Sequence, residues 1–331
     1  MKEHYVTLFD SVFLPQGLAL HHSLLEHGGD CLLWVLCLDE NCLSVLQRLD
    51  LPQMRLLDLE KLETHELLHV KPSRTRAEYC WTLTPWSIQW VFEADSSAKR
   101  VTYLDADVFF LKSAAPIFDQ FDDSGCDFLI TEHGFAPEYD VTPTFGRYCV
   151  QFVPVVRGAG EPLLHWWRDR CIEWCFSAPE DGLFGDQKYI EQLEYLFPGK
   201  VYATRADRRF QAPWNCSIFP FSDAVLFHFQ GLKILNTSVI RATSEDYILP
   251  TPTLEYIYKP YCTLLISLAY RYSLVIAPQA CEPSLHVSWR LRLFKWISIK
   301  LKLPAELPYL YMLNHGSIDD RLLWKLRKHL R

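Results

Sequence analysis

Short apolar runs alternate with longer amphipathic stretches through the first hundred residues, and this alternation limits the fold more than any other feature. YVTLF at 5–9, CLLWVLCL at 31–38, a short run at 54–58 and VTYL at 101–104 are rich in strand-forming residues. Between them the pattern predicts helices around 15–27, from a cap at Asp39 or Asn41 onward, and over 75–94. Pro85 is expected to start or kink the second part of the last helix. Strand and helix in alternation predict an α/β fold, a Rossmann-like, mostly parallel sheet flanked by helices. With 331 residues, 49% of them hydrophobic, the chain can bury a large core, which excludes low-complexity disorder.

In such sheets ligands bind beyond the carboxyl ends of the strands. One such end reads VTYLDADVFFL at 101–111, with Asp105 and Asp107 set among apolar residues. In an extended chain, residues two apart point to one side, so both carboxylates would converge. Left unpaired, they would repel each other and lose hydration. Either the strand ends at Leu104 and the aspartates cap a turn, or a cation sits between them. Apolar residues resume after Asp107, which favours the cation. Hard oxygen ligands suit magnesium or manganese.

Further along, CDFLITEH and RYCVQFVPV read as strands, and residues 161–177 as an aromatic helix. The HWW–EWC stripe of that helix has the spacing of core packing. The loop PEDGLFGDQKYIEQL leads into another helix, and strand-like pieces follow at 200–203 and 224–229. Near 250 the texture changes: PTPTLEYIYKP reads as a proline-containing link and the remainder as helices. The expected division is a catalytic body over 1–250 and a helical, basic region over 251–331. There is no Gly-rich phosphate loop and no internal repeat.

The eleven cysteines form no C-x-x-C pair and no regular disulfide spacing, which fits reduced thiols in a cytoplasm. MKEHYVTLFD enters a strand pattern at once and lacks the marks of a signal peptide. Net charge is −7, unevenly spread: residues 286–331 carry ten Lys/Arg against Glu306, Asp319 and Asp320. That basic end suits an anionic surface. Nothing points to nucleic acid.

Taken together, YLDADVFF, ITEHGF, HWWRDRCIEWC, FGDQKYI, APWN and HFQGLK resemble, in order, bacterial GT-A sugar transferases related to glycosyltransferase family 8. The resemblance covers roughly 5–235. It implies a nucleotide-diphosphate sugar donor (UDP-sugar foremost), a divalent metal, usually manganese, and retention of the anomeric configuration. The metal ligands implied are Asp105, Asp107 and His228. Around the donor it implies Asp10, Ala106, Gly231 and Lys233, with Arg74 or Arg76 as the arginine, and Asp186 and Gln187 beside the reacting sugar. Cys149 falls where asparagine is common in the family. His133, Trp214 and Asn215 are candidates for the acceptor side, although each could equally be packing. The acceptor would be a glycan, a lipid-linked sugar or a protein.

Two other readings remain. Sugar nucleotidyltransferases share the general fold but carry an N-terminal glycine-rich loop, which is missing here. An inactive relative serving as a carbohydrate-binding or scaffolding subunit would not need the metal positions or the Asp-Gln pair.

In residues 286–303, HVSWRLRLFKWISIKLKL, basic side chains interleave with Trp289, Phe294 and Trp296. Such a segment suits reversible docking on anionic lipid at the inner face of a membrane, with each basic residue contributing about 1 kcal/mol. The protein is expected to sediment with anionic liposomes at low salt and to be released at high salt. Deletion of 286–331 should abolish sedimentation; unchanged binding would assign the segment a structural role instead.

Overall fold

The structure, a computed structural model, describes residues 2–236, 239–243, 247–275, 279 and 310–312. The chain divides into two compact units, residues 1–228 and 229–331.

The first unit is an α/β domain. Its strands are β1 (Glu3–Phe9), β2 (Cys31–Cys37), β3 (Met54–Asp58), β4 (Arg100–Leu104), β5 (Val108–Phe110), β6 (Phe128–Glu132), β7 (Tyr148–Cys149), β8 (Phe152–Val156), β9 (Val201–Thr204), β10 (Phe210–Gln211) and β11 (Leu226–His228). Among the described residues, an eight-stranded sheet runs β3-β2-β1-β4-β8-β6-β7, with β9 beside β6. The four strands β3, β2, β1 and β4 are parallel, and β8 runs against both β4 and β6. The first helices and strands thus match the sequence pattern closely.

Strand order reverses at β1 and β4, so a crevice opens beyond their carboxyl ends. Asp10 follows β1 and Asp105 follows β4. The helix Arg76–Ala94 lies along these strands and continues through Pro85 without a break. Trp86, Trp90 and Val91 of that helix share one core with Val6, Val101, Phe128 and Trp167. Tertiary packing of this large apolar face outweighs the single hydrogen bond that proline removes.

Two expected elements differ, and two were not expected. The strand expected at 101–104 is β4, which ends at Leu104; residues 105–107 turn, and the unexpected β5 joins a second sheet in the order β10-β11-β5. RYCVQFVPV is split into β7 and β8, with a turn at 150–151. The aromatic helix stops at Glu173. A further helix, Ala115–Ser124, had no clear counterpart in the sequence pattern.

In the second unit β12 (Lys233–Asn236), β13 (Val239–Arg241) and β14 (Leu310–Met312) pair antiparallel. Phe229 stacks on Tyr261 with ring centroids 3.7 Å apart, which ties the start of this unit to its own helix. PTPTLEYIYKP is helical rather than a link, running Thr251–Thr253, a π-helical turn Leu254–Tyr258, then Lys259–Arg271. The wide turn lets Pro260 enter without its ring striking the preceding carbonyl. Among the described residues, no helix is long and apolar enough to cross a membrane. The basic segment 286–331 lies outside the described residues apart from β14.

One buried charge ties the fold to the loop that carries Asp186. Glu78 completes a capping box with Thr75 at the start of the helix Arg76–Ala94. Its Oε2 accepts from the Thr75 N–H and hydroxyl at 2.8 Å each, and its Oε1 from the Ser177 N–H at 2.7 Å and hydroxyl at 2.9 Å. Burial alone would raise its pKa, but these four hydrogen bonds prevail and bring it down to about 2. Stability from this carboxylate is therefore present above the unfolded value of about 4.3 and lost as pH falls toward 2. Glu78→Gln should cost about 2 kcal/mol at neutral pH. In urea unfolding, the wild-type and variant stabilities should converge on acidification to near pH 2.

Candidate active site

At the ends of β1 and β2, Asp10 and Asp39 face one guanidinium. Arg76 Nε lies 2.6 Å from Asp10 Oδ2, and its terminal nitrogen 3.3 Å from Asp39 Oδ2. Asp10 also caps a short turn, its Oδ1 accepting from the N–H groups of Val12 at 2.9 Å and Phe13 at 3.2 Å. Asp39 is the N-cap of the helix Glu40–Leu49. Burial works against its charge, but hydrogen bonds from Ser11 and Cys42, with Arg76 nearby, hold its pKa low. Asp10 and Arg76, each expected at the donor, are thus brought together as a pair. Arg74 is not part of it: it bonds Thr82 and, at 2.6 Å, the carbonyl of Ile172.

Beyond β4, a tight turn gathers the carboxylates. The Val108 N–H donates to the Asp105 carbonyl at 3.1 Å, closing residues 105–108. Ala106 buries its small side chain, leaving its backbone as the part able to meet a ligand. Both aspartates do converge, through a turn rather than the two-residue repeat of a strand, because β5 pairs with β11 and not with the main sheet. That pairing sets His228 opposite Val108, next to Asp107. His228 Nε2 lies 3.2 Å from Asp107 Oδ1 and 3.6 Å from Asp105 Oδ2. On its other side, Nδ1 lies 3.2 Å from Gln151 Oε1.

The electrostatics are strongly perturbed here. Burial raises the Asp105 pKa and Asp107 adds to it, while His228 and the Tyr103 hydroxyl, donating at 3.0 Å, oppose the rise. Burial would lower the His228 pKa, but Asp107 first, then Cys149 and Asp105, hold it well above the ordinary value. Two carboxylates and an imidazole also make a donor set that suits manganese or magnesium. They lie pairwise close, yet among the described residues no three such groups are splayed around one point as a ready-made cage.

Asp186 and Gln187 begin the helix Gln187–Leu196. The Trp167 indole N–H donates to the Asp186 carbonyl at 2.9 Å, so the aromatic stripe is core and also anchors this pair. Burial, then the charge of Asp105, pushes the Asp186 carboxyl up to about 8, against a hydrogen bond from Thr84. Asp105 and Asp186 thus share one electrostatic environment. Gln187 Nε2 donates to the Phe145 carbonyl at 2.5 Å.

His133, Trp214 and Asn215 also come together, but mostly by satisfying one another. The Trp214 indole and the Asn215 amide each donate to the His133 carbonyl at 2.8 Å. Asn215 Nδ2 also donates to Phe210 O at 3.0 Å, and its Oδ1 accepts from the Ala212 N–H at 2.9 Å. Both amide hydrogens are thus spent on the corner, and the sugar contact expected of Asn215 has no free donor behind it. Trp214 stands edge-on to His133 at 5.1 Å and to His228 at 5.4 Å, forming a wall behind the histidine. Gly231 and Lys233 belong to the second unit. Gly231 adopts φ 79°, a left-handed turn conformation that favours glycine.

Sequence reasoning missed Asp39 as a partner of Arg76, Gln151 as a partner of His228, and Tyr103. Tyr103 sits in the quoted motif itself. Gln151 lies inside an apparent strand, where no pattern marked a turn.

No family model matches the chain. Over 279 residues it is 31% identical to the uncharacterized protein YfnF of Bacillus subtilis (strain 168), across 78% of this chain and 91% of that one. The chain belongs to the family of YfnF. A second relative, the uncharacterized protein YfnD of the same organism, is 28% identical over 280 residues, across 78% of this chain and 87% of that one. Among solved structures, mouse xyloside xylosyltransferase 1 is similar at TM-score 0.47 and 14% identity, over 69% of this chain and 97% of that one. The galactosyltransferase LgtC gives 0.45 and 14%, over 83% and 98%. The glycosyltransferase GlyE of Streptococcus pneumoniae TIGR4 gives 0.46 and 14%, over 85% and 66%.

His133 offers a direct check of the site's burial. Its ring stacks on Phe135 at 4.5 Å and its Nδ1–H donates to Arg147 O at 3.1 Å. Burial lowers its pKa to about 4; the Arg147 carbonyl opposes the fall and His228 adds to it. The stability gained from the neutral ring is present above the unfolded value of about 6.5 and lost as pH falls toward 4. Imidazole NMR should place the His133 midpoint near 4; a midpoint near 6.5 would show a solvated ring.

Proposed function

We propose that the chain is a metal-dependent GT-A glycosyltransferase that moves a sugar from a nucleotide-diphosphate donor to a glycan, lipid-linked or protein acceptor. The observation that carries this reading is the turn of Asp105 and Asp107 closing on His228, with Asp186 beside it, at the crevice between β1 and β4. A half-buried excess of carboxylate beside one buried imidazole is costly unless a cation is to be held there. The ordered set of motifs in the sequence supports the same reading.

Asp105, Asp107 and His228 would hold manganese or magnesium. The bound ion would supply Lewis-acid stabilisation of the charge that develops on the departing diphosphate. Asp10 and Arg76, already paired, are assigned to the nucleoside end, with UDP as the expected carrier. Gly231 and Lys233 are assigned to the phosphates. Gln187 gives one of its two amide hydrogens to the Phe145 carbonyl, which fixes the side chain, and its carbonyl oxygen is assigned to lie against positive charge growing at the sugar carbon. Asp186 is assigned to the sugar hydroxyls. On the acceptor side the roles fall to His133 and Trp214, while Asn215 fixes their corner. Retention of configuration is part of this proposal.

The test is hydrolysis of a panel of nucleotide sugars with and without manganese. Asp105→Ala and Asp107→Ala should each lower manganese-dependent turnover by about 100-fold or more. Both variants should stay folded, because each removes a repelling charge together with one partner of His228. Wild-type-like turnover in either variant would sink the proposal. A wild type with no turnover of any donor would favour the scaffolding relative.

A further inference from the structure

Gln151 is placed against His228 by a feature of the sheet rather than by chance contact. In the β4–β8 register Leu104 opposes Phe152, so one step further along β4 Asp105 comes level with Gln151. Against β6, Thr131 opposes Cys149 while Phe128 opposes Val155, six residues on one side spanning three on the other. The surplus chain forms the turn at 150–151. Bulges of this kind re-aim a side chain next to a functional site. Gln151 is 1% exposed, and its Oε1 lies 3.2 Å from His228 Nδ1. A buried amide is tolerated when its polar atoms are matched, and here the match is the far side of the imidazole.

We propose that Gln151 is a positioning residue that accepts the Nδ1–H of His228 and so keeps Nε2 as the atom presented to a divalent cation. This rests on the metal reading given above. A histidine ligand is fixed in tautomer and orientation by the partner of its other nitrogen. A carboxylate partner would add a further negative charge to a recess already holding Asp105, Asp107 and Asp186. The neutral amide oxygen orients the ring without that addition. Trp214, edge-on at 5.4 Å, blocks rotation from another side.

The variant Gln151→Met keeps the length of the side chain and removes the oxygen acceptor, leaving at Nδ1 the weaker Cys149 Sγ at 4.0 Å; Gln151→Glu restores an oxygen acceptor. Two readouts apply to the full-length protein. Proton NMR of the imidazole N–H groups should show a slowly exchanging Nδ1 proton on His228 in the wild type and in Gln151→Glu, but not in Gln151→Met. Manganese alone, followed by the free-ion electron paramagnetic resonance signal, should bind Gln151→Met about 10- to 100-fold more weakly than wild type. A protected Nδ1 proton in Gln151→Met, or manganese affinity within twofold of wild type, would overturn the proposal. Should the wild type bind no manganese, the metal reading falls, and the proton signal alone decides whether Gln151 holds the ring.

Discussion

The structure depends on how it contains three carboxyl groups, Asp186 buried and Asp105 and Asp107 half-buried, that crowd together. Asp105, Asp107 and Asp186 lie close together, and the rise in the pKa of Asp105 and Asp186 expresses first what burial and then what their proximity costs. His228 offsets part of that cost with an imidazole 3.2 Å from one carboxylate and 3.6 Å from another. A core of this size could readily have placed leucines there. Keeping the charges makes sense only if the recess exists to bind something positive or to act on a polar ligand.

Around that recess, ordinary packing does the positioning. Trp167 belongs to the core and yet holds the backbone of Asp186. Glu78 caps one helix and ties down Ser177, upstream of the same aspartate. The antiparallel pairing of β5 with β11 delivers His228 to Asp107. None of these groups need touch a substrate. Each limits where a reacting group can be, which is how a site held to fractions of an ångström is built from flexible side chains.

Much of this was legible in the sequence. The strand–helix alternation foretold the parallel half of the sheet, because each element there has a strong period of its own. Asp105 and Asp107 were visible as polar residues at a strand end, whereas His228, Asp186 and Asp10 were implied only by the resemblance that the ordered motifs carry. What escaped detection was a break inside an apolar run. RYCVQFVPV keeps strand-forming residues on both sides of a turn, so period and propensity continue while the backbone does not. Gln151 was lost for that reason. PTPTLEYIYKP erred the other way: its prolines suggested a link, and a π-helical turn absorbed one of them. Asn215 was a fair candidate by residue type, but hydrogen-bond satisfaction is a property of three dimensions that no spacing reveals.

The turn between β4 and β5 joins strands that belong to different sheets, and both strands are buried at their ends. Its length is therefore locked from both sides, in contrast to most surface turns. An inserted residue could not be taken up by sliding either strand, since a one-residue slip would reverse every side chain along it. Such an insertion would leave two intact sheets and swing one carboxylate out of the recess. The fold should thus tolerate exchange of residue types in this segment far better than any change in their number.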